Sequence, residues 1–380
     1  MGFEFTEEQR MIQQTARDFA NSVLAPRARD LDKAEKFPAE HIPKLAELGF
    51  MGIISPEEYG GSGLSQITQV LIMEELHRAC ASTGVTVSVH NSLVQGPLNK
   101  FGTPEQKKRY LPRLTSAELI GAYCLSEPDF GSDAAGLVTT AVRKGDKYVL
   151  DGTKAWITNG DAAGFFIVFA TRERGAGAKG ISAFLVEKAF PGVTVGKKEE
   201  KLGIRASSTT QIHLDNVEVP AENLLGKEGE GFKIAMDTLD GGRIGIATQA
   251  VGIAQACLDR AAKYAKERQQ FGKKIADFQA IQWKVADMAT RIDAARLLCY
   301  RAAELRENGK SCNREAAMAK LFASETANQA ATDAVQVHGG WGYMAEYDVE
   351  RYFRDAKITE IYEGTSEVQR IVISRHYLRD

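Results

Sequence analysis

Two apolar ladders near the C-terminus constrain this chain more than any other feature. Ile244, Ala247, Val251, Ala254, Leu258, Ala261 and Ala265 recur at heptad-like spacing, and so do Ile281, Val285, Met288, Ile292, Ala295, Cys299 and Ala302. Each ladder is the apolar stripe of a long helix, and each stripe must be buried against something. Two such helices in succession predict an antiparallel bundle over residues 228–380.

The stretch before the bundle has a different period. TTAVRK and KYVLDG flank Gly145-Asp146, a hairpin signal. GFFIVFATRE and GISAFLVEK are rich in β-branched and aromatic residues, and in QIHLDNVEVP Ile212 and Leu214 alternate with polar neighbours. Residues 121–227 therefore read as a β domain. Residues 1–120 read as helices. Ile12, Ala16, Phe19 and Val23 share one face, a short helix around Ile42, Leu45 and Leu48 stops at Gly49, and another starts after Ser65. PEEYGGSG, 56–63, reads as a loop. The fold class expected is α+β, mostly α, in three domains: 1–120, 121–227 and 228–380.

Charge narrows the functional classes. The 48 Lys+Arg nearly balance the 50 Asp+Glu, which leaves no basic footprint for nucleic acid. No apolar run approaches the roughly 20 residues of a membrane helix. The start, MGFEFTEEQR, lacks the basic and apolar regions of a signal or transit peptide, so a cytoplasmic location is expected, with a mature matrix form as the alternative. Met1-Gly2 with Thr6 fits the loose myristoylation pattern, but Thr6 to Gln9 reads better as a helix capping box. The five cysteines are scattered and none forms a CxxC pair, which suits buried thiols in a reducing compartment. The six histidines are isolated, and no metal site is expected.

Residues 175–180, GAGAKG, spell a literal G-x-G-x-x-G. That motif cradles a pyrophosphate only where a strand enters and a helix leaves. Here ISAFLVEK leaves, another strand, so the segment is read as a hairpin connection.

The acids of IYEGTSEVQR, 361–370, are more informative. Ser366-Glu367-Val368-Gln369 reads as a capping box, which makes Glu367 the first helical residue, favoured there by the helix dipole. Glu360 reads as a solvent-facing helix end. Glu363 precedes Gly364 and lies in an apolar turn, where its pKa would rise. Local physics leaves it open between a general base and a surface acid. YCLSEPDFGSD, GTKAWITNG and RQQFG are unusual too, though each has a plain alternative: a tight loop, a core Trp on the same strand face as Thr158, a cation ending a long helix.

Taken together and in order, YCLSEPDFGSD, KAWITNG, LDGGRIGIA, RQQFG, QVHGGWGY and IYEGTSEVQR resemble the acyl-CoA dehydrogenase family from end to end, and most closely its short-chain, butyryl-CoA-type branch. The resemblance implies an N-terminal helical domain, a central β domain and a C-terminal four-helix bundle. It implies FAD, bound non-covalently, and α,β-dehydrogenation of an acyl-CoA to the trans-2-enoyl-CoA. Glu363 would take the α-proton, and its backbone N–H would help hold the thioester oxygen. Some branches place the base just before the arginine of LDGGR; that position here is Gly242, which cannot serve. Tyr123, Leu125, Ser126, Ser132, Trp156 and Thr158 would meet the flavin. Arg268 and Phe271 would reach the FAD of a neighbouring subunit, Arg268 at the pyrophosphate, and Gln279 is similar in role. Gln336, Gly339 and Gly340 resemble the loop over the adenosine half of FAD, and Thr365 and Glu367 match positions beside the adenine-side phosphates and ribose. Ser132, Asp240, Arg243 and Arg375 would contact CoA, and Tyr362 and Gly364 would line the acyl site. The family further implies a homo-oligomer, a tetramer in most relatives, and electron-transferring flavoprotein as acceptor.

Overall fold

The computed structural model describes residues 4–378, so Met1 and Gly2 of the myristoylation pattern lie outside the described residues. Thr6 opens the first helix through a complete capping box with Gln9. The N-terminal helices are α1 (Glu7–Phe19), α2 (Ala25–Ala34), α3 (Ile42–Glu47), α4 (Gln66–Ala79), α5 (Ala81–Ser88), α6 (Gly96–Phe101) and α7 (Pro104–Thr115). Gly49 follows α3 at φ 74, the left-handed turn expected of it. Two widened π-type turns, Ala20–Leu24 and Val89–Gln95, lie just before Pro26 and Pro97. A proline has no N–H for the helical ladder, and the widened turn lets the chain continue around it.

The sheet contains β1 (Gly121–Cys124), β2 (Thr140–Lys144), β3 (Lys147–Thr158), β4 (Phe165–Thr171), β5 (Ile181–Glu187), β6 (Val193–Lys198), β7 (Thr209–Pro220) and β8 (Leu224–Leu225). Its order is β6-β7-β3-β2-β4-β5-β8, with β1 parallel to β4. Every residue of β4 is buried, and its two faces serve different cores. Phe165, Ile167 and Phe169 join the helical core, while Phe166, Val168 and Ala170 join the core on the other side. This is why FFIVFA reads as a continuous apolar run instead of an alternation. GAGAKG carries the chain from β4 into antiparallel β5, and no helix leaves it.

The last part holds α8 (Gly231–Glu267), β9 (Gln269–Gln270), β10 (Lys273–Lys274), α9 (Gln279–Glu307), α10 (Asn313–His338), α11 (Val349–Lys357) and α12 (Ser366–Leu378). Both ladders face the core. α8, α9 and α10 pack on one another, α12 lies along α10, and α4 lies across α8 and α9. The packing face of α10 is mostly alanine, with Ala316, Ala319, Ala323, Ala327 and Ala331 fully buried, so the helices approach closely. RQQFG corrects one expectation. Arg268 caps α8, but the rest forms a hairpin with Phe271 at φ 52 and Gly272 at φ 76, the two positive angles of a tight β-turn.

One buried ion pair ties the sheet to the loop after β1. Lys154 donates to Glu127 at 2.7 Å and to the Leu125 carbonyl at 3.1 Å. Glu127 also accepts from the amides of Val138 and Thr139 at 2.7 and 3.0 Å. Lys154→Met leaves that carboxylate buried without its cation. The variant is expected to lose roughly 3–5 kcal/mol, read as a lowered thermal midpoint. An unchanged midpoint would show that the pair does not hold the loop.

Candidate active site

The site is built on the turn between α11 and α12. A single 3-10 turn, Ile358–Glu360, ends the first helix. Glu363 then stands at φ 53 and Gly364 at φ 91. Glycine takes such an angle freely, whereas a residue with a Cβ is strained there. The turn therefore has to be held from outside. Gln369 donates to the carbonyls of Glu363 and Gly364 at 3.2 and 2.8 Å, and Lys320 donates to the Gly364 carbonyl at 2.7 Å. These bonds correct the expected capping box. Thr365 is the cap, accepting from the Val368 amide at 3.4 Å, Ser366 is already helical, and Gln369 reaches back to carbonyls. Glu360 is not a free solvent acid either: it is half-buried and pairs with Lys357 at 2.6 Å.

The turn aims Glu363 inward. The residue is half-buried as a whole, but its Oε2 is sealed from solvent and has no hydrogen-bond partner among the described residues. Burial pushes its pKa up to about 7, with Lys320 and then Arg243 pulling it back. The carboxylate occupies the space beside Gly242. A Cβ at that position would stand 1.9 Å from Glu363 Oε2 and 2.8 Å from Leu93 Cδ2. Gly242 is thus required by the carboxylate it faces, and no base could sit at 242 with Glu363 in place.

Three other expected residues gather here. Tyr362 donates its hydroxyl to Gln249. Arg243 is 5% exposed and donates to Asp240 at 2.7 Å, on the shared helix face that i, i+3 spacing gives. Its Nε has no hydrogen-bond partner among the described residues. Asn313 bonds Asp240 at 2.8 Å and meets His376 at 3.2 Å, which brings the end of α12 next to this group. Arg375, one residue away, is exposed. Asp240 and Gly241 also line a groove of about 740 Å³ with Lys100, Arg306 and Lys310.

The sheet supplies the facing wall. Tyr123, next to last in β1, has its hydroxyl buried and without a partner among the described residues; burial, then the charge of Glu363, push its pKa well above the ordinary value. Leu125 is buried and Ser126 half-buried in the loop pinned by Lys154, while Ser132 is exposed. In β3 the pairing with β7 slips between Lys154 and Ile157. This bulge puts Trp156 at φ 57 and leaves the residue 57% exposed, with Thr158 half-buried beyond it. An exposed indole plate, a strand-end hydroxyl and unpartnered buried polar atoms suit a planar, hydrogen-bonding cofactor.

A second group lies apart from Glu363. Arg268, Gly339 and Gly340 line a cleft of about 560 Å³ with Tyr264, His338 and Trp341. Gln279 and Gln336 are exposed, and Phe271 is 91% exposed on its hairpin tip. Glu367 is exposed, its pKa lowered first by the Thr365 hydroxyl. Sequence reasoning missed Lys320, Gln249 and the Lys154–Glu127 pair, and it gave Gln369 the wrong partner. Lys320 had a signal: a lysine between Ala316 and Ala323 on the apolar face of an alanine-rich helix. Among the described residues no group of His, Cys, Asp and Glu could hold a metal ion, and no helix is long and apolar enough to cross a membrane.

Similarity to known proteins runs through the whole chain. Residues 6–118, 122–217 and 229–378 match the N-terminal, middle and C-terminal domains of acyl-CoA dehydrogenase. The short-chain specific acyl-CoA dehydrogenase, mitochondrial, of Rattus norvegicus is 53% identical over 376 residues, covering 99% of this chain and 91% of that protein. The butyryl-CoA dehydrogenase structure from Megasphaera elsdenii superposes with a TM-score of 0.98 at 46% identity, over 100% of both chains. A chain solved in work on the electron transferring flavoprotein of Acidaminococcus fermentans superposes with a TM-score of 0.98 at 52% identity, again over 100% of both. With agreement this close in all three parts of the molecule, the chain belongs to the acyl-CoA dehydrogenase family.

Proposed function

We propose that this enzyme oxidises a short-chain acyl-CoA, with butyryl-CoA as the reference substrate, to the trans-2-enoyl-CoA, Glu363 removing the α-proton. The observation that carries this reading is the sealed, unpartnered Oε2 of Glu363. A carboxylate paired inside the protein would have its lone pairs engaged. This one is free for a substrate proton, and with a pKa of about 7 it is substantially ionised near neutrality, as a general base requires.

The α-proton of a thioester is very weakly acidic, so its carbonyl must be polarised. The amide of Glu363 makes no hydrogen bond among the described residues and is available to the thioester oxygen. Tyr362 and Gly364 line the acyl group. Asp240 and Arg243, with Ser132 and Arg375, serve the CoA portion. Leu93 and Tyr123 keep water from the carboxylate, which preserves its proton affinity. FAD, the cofactor of the family, supplies the hydride acceptor when bound. Tyr123, Leu125, Ser126, Ser132, Trp156 and Thr158 would hold it on the sheet side, and Thr365 and Glu367 on the turn side.

Arg268, Phe271, Gln279, Gln336, Gly339 and Gly340 stand apart from that wall, and so we assign them to the cofactor of a neighbouring copy in a homotetramer. The 91% exposed Phe271 fits such a cover. Electrons pass on to electron-transferring flavoprotein. The relatives above support the short-chain substrate and this acceptor. We retain 1–120, 121–227 and 228–380 as the domain limits. The five buried free cysteines fit a reducing cytoplasm.

Three outcomes follow. First, kcat/KM for butyryl-CoA rises about tenfold per pH unit below about 7 and levels off above it, because the base must be ionised. A profile flat from pH 5.5 to 8 would exclude Glu363 as the base. Second, Gly242→Ala pushes the Glu363 carboxylate out of line and lowers kcat about 10²-fold without unfolding the chain. Wild-type kcat in that variant would refute the placement. Third, in a substrate series from C4 to C16, kcat/KM is highest at C4 to C6. A maximum at C12 or beyond would remove the short-chain assignment.

A further inference from the structure

Lys320 lies on α10, fully buried, on the face that is otherwise alanine. A lysine there loses its hydration, and burial pushes its pKa down to about 8. Among the described residues its ammonium makes one hydrogen bond, to the Gly364 carbonyl at 2.7 Å. That carbonyl belongs to the second of the two residues with positive φ, and Gln369 also donates to it at 2.8 Å. Lys320 and Gln369 therefore grip the same oxygen, one residue beyond the base.

The charge of Lys320 also acts on Glu363 itself. Four titratable groups face that carboxyl from the elements packed around it: Lys320 on α10, Arg243 on α8, Tyr123 on β1 and Tyr362 in the turn. Only Lys320 and Arg243 are cations, and Arg243 already bonds Asp240. Lys320 in turn faces Glu363, Glu360 and Glu367, with Arg243 opposing. Lys320 is thus the stronger of the two cations acting on the base, and it meets the turn at the Gly364 carbonyl.

We propose that Lys320 is a positioning residue for Glu363: its ammonium fixes the backbone turn that aims the carboxylate and supplies the charge that keeps that carboxylate ionised. This rests on the assignment of Glu363 as the base. Lys320 transfers no proton to substrate, and its role is exerted through Gly364 and through space.

The test is a set of pH profiles from 5.5 to 9.5, measured with butyryl-CoA and an artificial electron acceptor. The unaltered enzyme is compared with Lys320→Met, which removes donor and charge, and Lys320→Gln, which keeps a donor. Both variants are expected to move the acid limb of kcat/KM to higher pH. A limb displaced by one pH unit lowers kcat/KM about tenfold below pH 6 and little above pH 9. Above pH 9, Lys320→Gln retains the wild-type KM, whereas Lys320→Met shows a raised one because its turn has lost a tether. A loss of equal size at every pH, or failure of both variants to fold, marks Lys320 as merely structural and overturns the proposal. Glu363→Gln run alongside separates the two assignments. Full activity in it would remove the base itself. An inactive Glu363→Gln with unmoved limbs in both lysine variants would remove only the role of Lys320.

Discussion

A carboxylate oxygen, Glu363 Oε2, buried without a hydrogen-bond partner among the described residues is the constraint on which the rest of this structure depends. Raising its pKa from 4.5 to about 7 corresponds to roughly 3 kcal/mol at about 1.4 kcal/mol per pH unit. The sign follows from proton counting. Between about pH 4.5 and 7 the native state keeps a proton that the unfolded chain gives up, so this site weakens the fold as pH rises through that window. Glu363 and Gly364 add two consecutive positive φ angles. Isolated, such a turn would relax and turn its acid to water. It persists because Lys320, Gln369 and the space over Gly242 leave it one arrangement.

Those contacts come from elements far apart in sequence. α8 provides Gly242 and Arg243, α10 provides Lys320, and β1 brings Tyr123. β4 joins the regions, since one of its faces belongs to the helical core and the other to the core across the sheet. β1 runs parallel to β4, and Tyr123 packs on Phe169 with ring centroids 5.0 Å apart. The Lys154–Glu127 pair then fixes the loop that carries Leu125 and Ser126. The two walls of the site, one helical and one of sheet, are thus referred to a single packed core.

The fold is largely legible in the sequence because its signals are periodic. The ladders of α8 and α9 and the hairpin at Gly145-Asp146 are local patterns that burial enforces. The continuous apolar run of β4 makes sense only once two cores are seen to share it. The site is less legible. Gly242 can be seen to be unable to act as a base, but its contact with Glu363 joins distant parts of the chain and has no local mark. The sequence places the cap at Ser366, one residue late, because Thr365 and Ser366 are equivalent acceptors until a backbone angle chooses between them. RQQFG reads as the end of a helix, and only its paired positive φ angles reveal a hairpin. Local physics leaves Glu363 undecided for a clear reason: whether a turn acid is buried depends on what packs against it.

The central claim is that Glu363 alone starts the chemistry, and one anaerobic experiment addresses it. Purified protein carrying FAD is mixed with butyryl-CoA in the absence of any acceptor, and the yellow absorbance is followed in the unaltered chain and in Glu363→Gln. The account predicts rapid bleaching in the first and a persistent yellow colour in the second, although the variant still binds both cofactor and thioester. Bleaching at a comparable rate in Glu363→Gln would contradict it.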